Sequence, residues 1–334
     1  MDSENNLLDS PPTAHQLRHL AKNGLLDLSA LDRALKIINH TPNIKRWENF
    51  LSLLFLILGT GLIVSGIFFF FAFNWADMGR FFKLGLLEAA VVIAVGLAFW
   101  RGLDRLSGQI ALTAAGLMVG ALVAVYGQIY QTGADSYRLF LTWAGLITGW
   151  VLISKFTTLW LVWVALLNLS LIFYWTQVVG EVDSKLYLGL FLLNGGGMLV
   201  WEISHAYGVA WLKSRWPPRL LSLPAFVVLV QPTIIFILSA WERSNDPWLF
   251  LMFGLFIVAA GLVLYLYSQR ILDLFMLTVA AFSLIIVFNT WLANLLESWD
   301  EFLLFFLSLL FIGQAVLVVT WLRRVSKLWE GQKS

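Results

Sequence analysis

The strongest constraint on this sequence is a recurring apolar run, about twenty residues long and repeated with short polar connections from residue 50 onward. A helix rises about 1.5 Å per residue, so such a run crosses the roughly 30 Å hydrocarbon core of a bilayer. In lipid only helices and closed barrels satisfy the backbone, and these continuous runs lack the alternation of barrel strands. The spans are expected at 50–73, 81–100, 109–131, 138–154, 157–178, 186–203, 219–240, 248–268, 271–295 and 302–322. The fold class is therefore all-α, a polytopic helical integral membrane protein with the lipid bilayer as its surroundings. Composition agrees: only 13% of residues are charged, against about 25% in soluble domains.

Orientation follows from the positive-inside rule. With a cytosolic N-terminus, all but Arg80, Lys83, Arg138, Lys185 and Arg243 of the 22 Lys and Arg fall on the inner side. Acidic residues crowd the other side, among them Asp77, Asp135, Asp183, Asp246 and Asp300. A wrong span count would scramble this alternation, so both termini are read as cytosolic. Trp47, Trp100, Trp248 and Trp321 fall near expected boundaries, as interfacial anchors do.

Four segments organise the chain: a disordered tail over 1–12, a cytosolic helical hairpin and linker over 13–48, a transmembrane domain over 49–323, and a cytosolic tail over 324–334. In the hairpin, a helix near Thr13–Lys22 stops at Asn23-Gly24, a left-handed cap. A second helix starts with Ser29 as N-cap and aligns Leu31, Leu35 and Ile38 on one face. That stripe is expected to rest on the protein's own cytosolic face, on headgroups, or on a protein partner. No cleavable leader is visible, so the first span is expected to act as the insertion signal.

Polar residues inside the spans carry the functional candidates. Glu88 lies about 10 Å below the outer boundary of the second span, where an ionisable group marks a functional or paired position. Two readings stand: a proton-carrying or substrate-binding carboxyl, or one hydrogen-bonded between helices for packing alone. Asn74 and Trp75 end the first span on the same side, and the third ends in "YGQIYQTGADSY". Gln128 and Gln131, three apart, are expected on one helix face, and Gly133 is expected to end that helix. Together Asn74, Trp75, Glu88, Gln128, Tyr130, Gln131 and Asp135 would wall an outward-facing polar vestibule for a small polar solute or ion. The bland alternative is an ordinary polar helix end.

Two later spans read as interrupted, one at Gly195-Gly196-Gly197 after Asn194, the other at Gln231-Pro232, where the ring removes a backbone bond. Broken helices line binding sites in transporters, whereas glycines also serve close packing. Ten spans would divide into two inverted halves pairing Gly59-Thr60-Gly61 with the glycine triplet, without further self-similarity.

Catalytic signatures are absent from the sequence. There is no cysteine and the net charge is +2, so thiolate chemistry is excluded and nucleic acid is not an expected partner. His15 and His19 have metal-pair spacing on a helix but no third ligand in pattern, and His205 is read as a loop residue beside Glu202. "LNGGGML" lacks the Lys-Ser/Thr of a phosphate loop. No cofactor, metal or enzymatic activity is expected.

Three stretches together, "LRHLAKNGLLDLSALDRAL", "FAFNWADMGRFFKLGLLEA" and "VYGQIYQTGADSY", resemble the bacterial predicted-membrane-protein family called domain of unknown function 2157, over roughly residues 15–175. The resemblance implies a bacterial inner-membrane setting and a unit formed by the first three spans. It implies no activity, substrate or catalytic residue. Two functions remain expected: a transporter-like protein with an outer vestibule, or a non-catalytic envelope scaffold whose hairpin docks partners.

Overall fold

The computed structural model describes residues 14–37, 44–73, 77–212, 214–239, 246–295 and 301–331. These residues fall into two compact units divided after Phe73. Asn74 and Trp75, named above as candidates, lie outside the described residues, as does the expected tail over 1–12.

The first unit holds α1 (Ala14–Lys22), α2 (Leu28–Ile37) and α3 (Ile44–Phe73). α1 ends as its sequence requires. Gly24 sits at φ +72°, and the Leu25 amide donates to the Leu20 carbonyl at 3.0 Å, closing the helix with a left-handed residue at the position that favours glycine. α2 starts two residues earlier than expected. Asp27, not Ser29, stands before its first residue; the Asp27 carbonyl takes the Leu31 amide at 2.8 Å and its carboxylate takes the Ser29 hydroxyl at 2.7 Å. That hydroxyl, with the Leu28 and Ser29 amides, holds the Asp27 carboxyl below its ordinary pKa. Leu17 is buried, while Leu28 and Ile37 remain about four-fifths exposed (78% and 80%).

The second unit is a bundle of nine helices among the described residues. They are α4 (Arg80–Arg101), α5 (Leu106–Ile129), α6 (Ser136–Ser154), α7 (Thr157–Tyr174), α8 (Ser184–Ala206), α9 (Trp216–Leu238), α10 (Pro247–Gln269), α11 (Leu274–Leu295) and α12 (Glu301–Gly331). A π-helical turn, Trp175–Val179, extends α7. With α3 this makes 10 helices long and apolar enough to cross a membrane, one for each expected span. The ends differ at α12, which continues to Gly331 and so takes in most of the expected tail over 324–334. His205, expected in a loop, lies in the last turn of α8.

Two apolar cores occupy the bundle. One is built by α4–α7 around Ala98, Leu112, Ala144, Ile147 and Leu159, with α5 packed against α4, α6 and α7. The other is built by α8–α11 around Phe226, Leu229, Met252, Phe256 and Leu277, with α9 against α8, α10 and α11. α12 lies along α11. α7 and α8 form the seam between the cores, where Asn168 and the fully buried Asn194 exchange amide hydrogen bonds at 3.2 and 2.6 Å.

Neither expected interruption is present. α8 is one α-helix through Gly195, Gly196 and Gly197, and α9 is one through Pro232. With no water competing for the backbone, glycine stays helical in a span. Here the bare backbone admits neighbours: an added Cβ on Gly197 would meet Leu221 of α9 at 3.4 Å, and one on Gly195 the Phe191 ring at 3.1 Å. Pro232 is buried within the same packed body, where neighbouring helices tolerate one lost backbone bond.

The reversals at one end are tight. Gly102 at φ +85° turns α4 into α5, Lys155 at φ +49° leads α6 into α7, and Leu272 at φ +57° stands between α10 and α11.

Candidate functional site

At the opposite end of α5 the chain leaves the helix in an unusual way. α5 stops at Ile129, four residues before Gly133. The Thr132 amide donates to the Gly127 carbonyl at 3.2 Å and the Gln131 amide to the Gln128 carbonyl at 3.4 Å. This is the two-bond Schellman ending, whose left-handed position is ordinarily glycine. Here it is filled by Gln131 at φ +42°. A side chain in that region costs about 1–2 kcal/mol. Lys155 and Leu272 share the conformation, but each lies in a short reversal that demands it. Gln131 opens a longer connection in which Gly133 stands only two residues on.

Around this turn the structure gathers an exposed polar and aromatic rim. Gln128, Tyr130, Gln131 and Asp135 are all exposed, and the Tyr126 and Tyr130 rings lie 4.6 Å apart. Asp135 stands immediately before α6. Gln128 and Gln131 do not share a helix face, because Gln131 has already left the helix. The next residues tie the rim to the end of α7. The Tyr137 amide donates to Gln177 Oε1 at 3.3 Å, the Ser170 hydroxyl donates to the Tyr137 carbonyl at 3.2 Å, and the Tyr137 and Tyr174 rings meet edge to face at 5.3 Å. Gln177 belongs to the π-helical turn, a widened turn that often accompanies functional positions. That turn also aims Trp175 Nε1 at Asp183 Oδ1, 2.7 Å away, ahead of α8. Tyr137 belongs to the polar stretch quoted from the sequence, whereas Gln177 and Trp175 carry no signal there. Trp175–Val179 reads there as the ordinary end of a span, and its geometry has no composition of its own.

Glu88 stands apart from this rim. Where α4 and α5 touch, an added Cβ on Gly108 would lie 2.8 Å from the Ala98 carbonyl, which fixes the antiparallel register. Counting from that contact, Glu88 lies level with Met118, ten positions from Gln128, or about 15 Å along the hairpin. Its neighbours Lys83 and Leu87 are buried, whereas Glu88 is on the exposed face of α4. Among the described residues it takes part in none of the ion pairs.

The charged constellation that the structure does assemble lies at the other end of the bundle. Glu202 near the end of α8 receives Arg215 Nη1 on Oε2 at 2.6 Å and the Tyr267 hydroxyl on Oε1 at 2.8 Å. Asp273, whose side chain is 4% exposed, receives Arg219 Nε on Oδ2 at 2.8 Å and the Phe275 amide on Oδ1 at 3.0 Å. All four carboxylate oxygens are engaged, and the two groups fasten α8 and α10 to the start of α9, and α9 to the start of α11. A saturated set of this kind is a latch rather than a reactive centre. Tyr267 and Asp273 escaped the sequence reading, since their partners are 65 and 54 residues away along the chain. No group of three or more metal-ligating side chains occurs among the described residues, and His19 contacts Asn23 instead.

Comparison with curated proteins and with solved structures returns no match. Residues 18–160, running from the hairpin to the start of α7, match the family described as predicted membrane protein (DUF2157), and it is this family that the N-terminal part of the chain resembles.

Proposed function

We propose that this chain is a multi-pass protein of a bacterial inner membrane, with both termini in the cytoplasm, that receives a small polar solute or ion at the outer rim formed by the end of α5 and the start of α6, in the manner of a transporter. The observation that carries the reading is Gln131. A strained left-handed glutamine flanked by exposed amides, tyrosines and a carboxylate is an arrangement that stability alone would replace with glycine. The orientation draws support from the opposite end, where Arg101, Arg105, Lys155, Arg215, Arg219 and Arg270 sit at or between helix ends. Glu88, by contrast, is left to a role on the exposed face of α4.

The test is thermal unfolding of the purified protein with monosaccharides, neutral amino acids and alkali-metal chlorides. One class is expected to raise the melting temperature. Gln131→Gly should unfold later on its own, by about 1 kcal/mol, yet lose that solute response, while Glu88→Gln keeps it. If Gln131→Gly and Gln128→Ala both respond as the parent does, the rim is only a helix end.

A second reading, a non-catalytic envelope scaffold, is favoured by the exposed Leu28 and Ile37 of the hairpin. It expects deletion of residues 14–37 to leave the bundle folded and release a co-purifying partner.

A further inference from the structure

Between α9, α10 and α11 the bundle opens a cleft of about 520 Å³ toward the surroundings of the helices, within the ordinary range of ligand sites. One wall is the stacked pair Phe236 and Phe253, ring centroids 5.3 Å apart. The other is Phe288 against Trp291 at 5.8 Å. Leu284 and the buried Val287 form the floor. The cleft is polar at one end alone, where Asn294 holds the Ile237 carbonyl at 3.1 Å beside the half-exposed Trp291.

Every lining residue belongs to a candidate membrane span, so the cleft faces hydrocarbon rather than water. From Asn294 to Leu284 it extends ten residues of α11, about 15 Å, which is half of the roughly 30 Å apolar core and hence the depth of one leaflet. Its mouth, marked by an amide and an indole, lies where headgroups begin, since indoles settle at that level. Aromatic walls, a wholly aliphatic floor and a single-leaflet depth suit a flexible hydrocarbon chain entering from the mouth. A polar solute would leave its hydrogen bonds unmet there.

We propose that this cleft is a binding site for one acyl chain of a bilayer phospholipid, seated between the Phe236–Phe253 and Phe288–Trp291 walls with its headgroup at Asn294. The site is independent of the rim at α5 and α6 and stands or falls apart from it.

The experiment uses the full chain in nanodiscs of phosphatidylethanolamine and phosphatidylglycerol containing a phosphatidylethanolamine with a mid-chain diazirine. Photolabelling followed by peptide mapping should mark Ile257, Leu284 and Phe288 several-fold above Leu309 and Leu317, which lie on the exposed face of α12. Val287→Trp, which fills the floor, should return the cleft to the α12 level. Ile257→Trp, on the exposed edge where folding is not at risk, should lower it in part. Uniform labelling of the cleft and α12 would overturn the proposal, as would undiminished labelling in both variants. Two further outcomes would also overturn it by naming another occupant. One is labelling competed away by free fatty acid but not by phospholipid. The other is crosslinking of the cleft to a second copy of the chain.

Discussion

The two cores of the bundle are held together by different means. In α4–α7 the helices approach through bare backbone. An added Cβ on Gly108 would fall 2.2 Å from the Gly102 carbonyl, and one on Gly120 would fall 2.4 Å from the Trp143 ring, while Trp143 Nε1 reaches the Gly116 carbonyl at 2.7 Å. The ion pairs of Glu202 and Asp273 lie outside this half. In α8–α11 bulkier side chains, Phe256, Met252, Met276 and Tyr267, fill the interior, and the carboxylates of Glu202 and Asp273 clamp the end. Lipid tails are as apolar as leucine, so burial alone gives helices little reason to associate. One half supplies the deficit by proximity and indole hydrogen bonds, the other by charge-assisted bonds. The family match over residues 18–160 takes in α4–α6 and the first residues of α7, and nothing of the second half.

The sharpest way to break the contrast is Gly108→Ala. Its new methyl meets carbonyl oxygens that belong to the turn and to α4, so no side-chain rotation relieves it. A loss on the order of 4 kcal/mol is expected, read as failure to retain the folded protein in a mild detergent. Gly145→Ala, with nothing within 4 Å of its Cβ, should be almost silent. In the other half, Asp273→Ala removes the partner of Arg219, whose side chain is 43% exposed, and the acceptor of the Phe275 amide. About 2 kcal/mol should be lost, measured by steric trapping, and Arg219→Leu in the same chain should recover part of it. At the seam, Asn194→Leu removes one half of an amide pair; hydrogen bonds between membrane helices average about 0.6 kcal/mol, so a loss near 1 kcal/mol is expected. A loss as large as that of Asp273→Ala would show that the seam between the halves contributes as much as the latch inside one of them.

The smallest effect belongs to the hairpin. Asp27 has its pKa lowered in the folded state, so its contribution is present above the unfolded value, near 3.9, and fades as the pH falls through the lower folded value. An NMR titration should place Asp27 below an unperturbed aspartate, and Ser29→Ala should bring it back up. An unchanged midpoint in that variant would remove the Ser29 hydroxyl as the cause.

The sequence told where the helices are far better than which way they face. Each span announces itself by length, but an apolar helix without a polar stripe gives no sign of its buried side. Glu88 was therefore legible as an ionisable residue at depth, though not as one turned outward. Gly133 drew the expected helix end away from Ile129 because glycine is the usual occupant of a left-handed cap, and Gln131 took that position instead. The glycine triplet and Pro232 read as breaks, since local rules count lost backbone bonds and not the neighbours that make such losses tolerable. The latch was least legible of all. Its partners lie on four elements whose proximity arises only once α9 is enclosed by α8, α10 and α11.

The reversal at Lys155 has a consequence for how the protein is made. From Ser154 to Thr157 is three peptide steps, at most about 11 Å, little more than the 8–10 Å between the axes of packed helices. Once both helices are inserted, a connection this short lets them settle only as neighbours, so α7 is placed against α6 before any distant helix can compete for it. A flexible insert at that hinge would remove the tie.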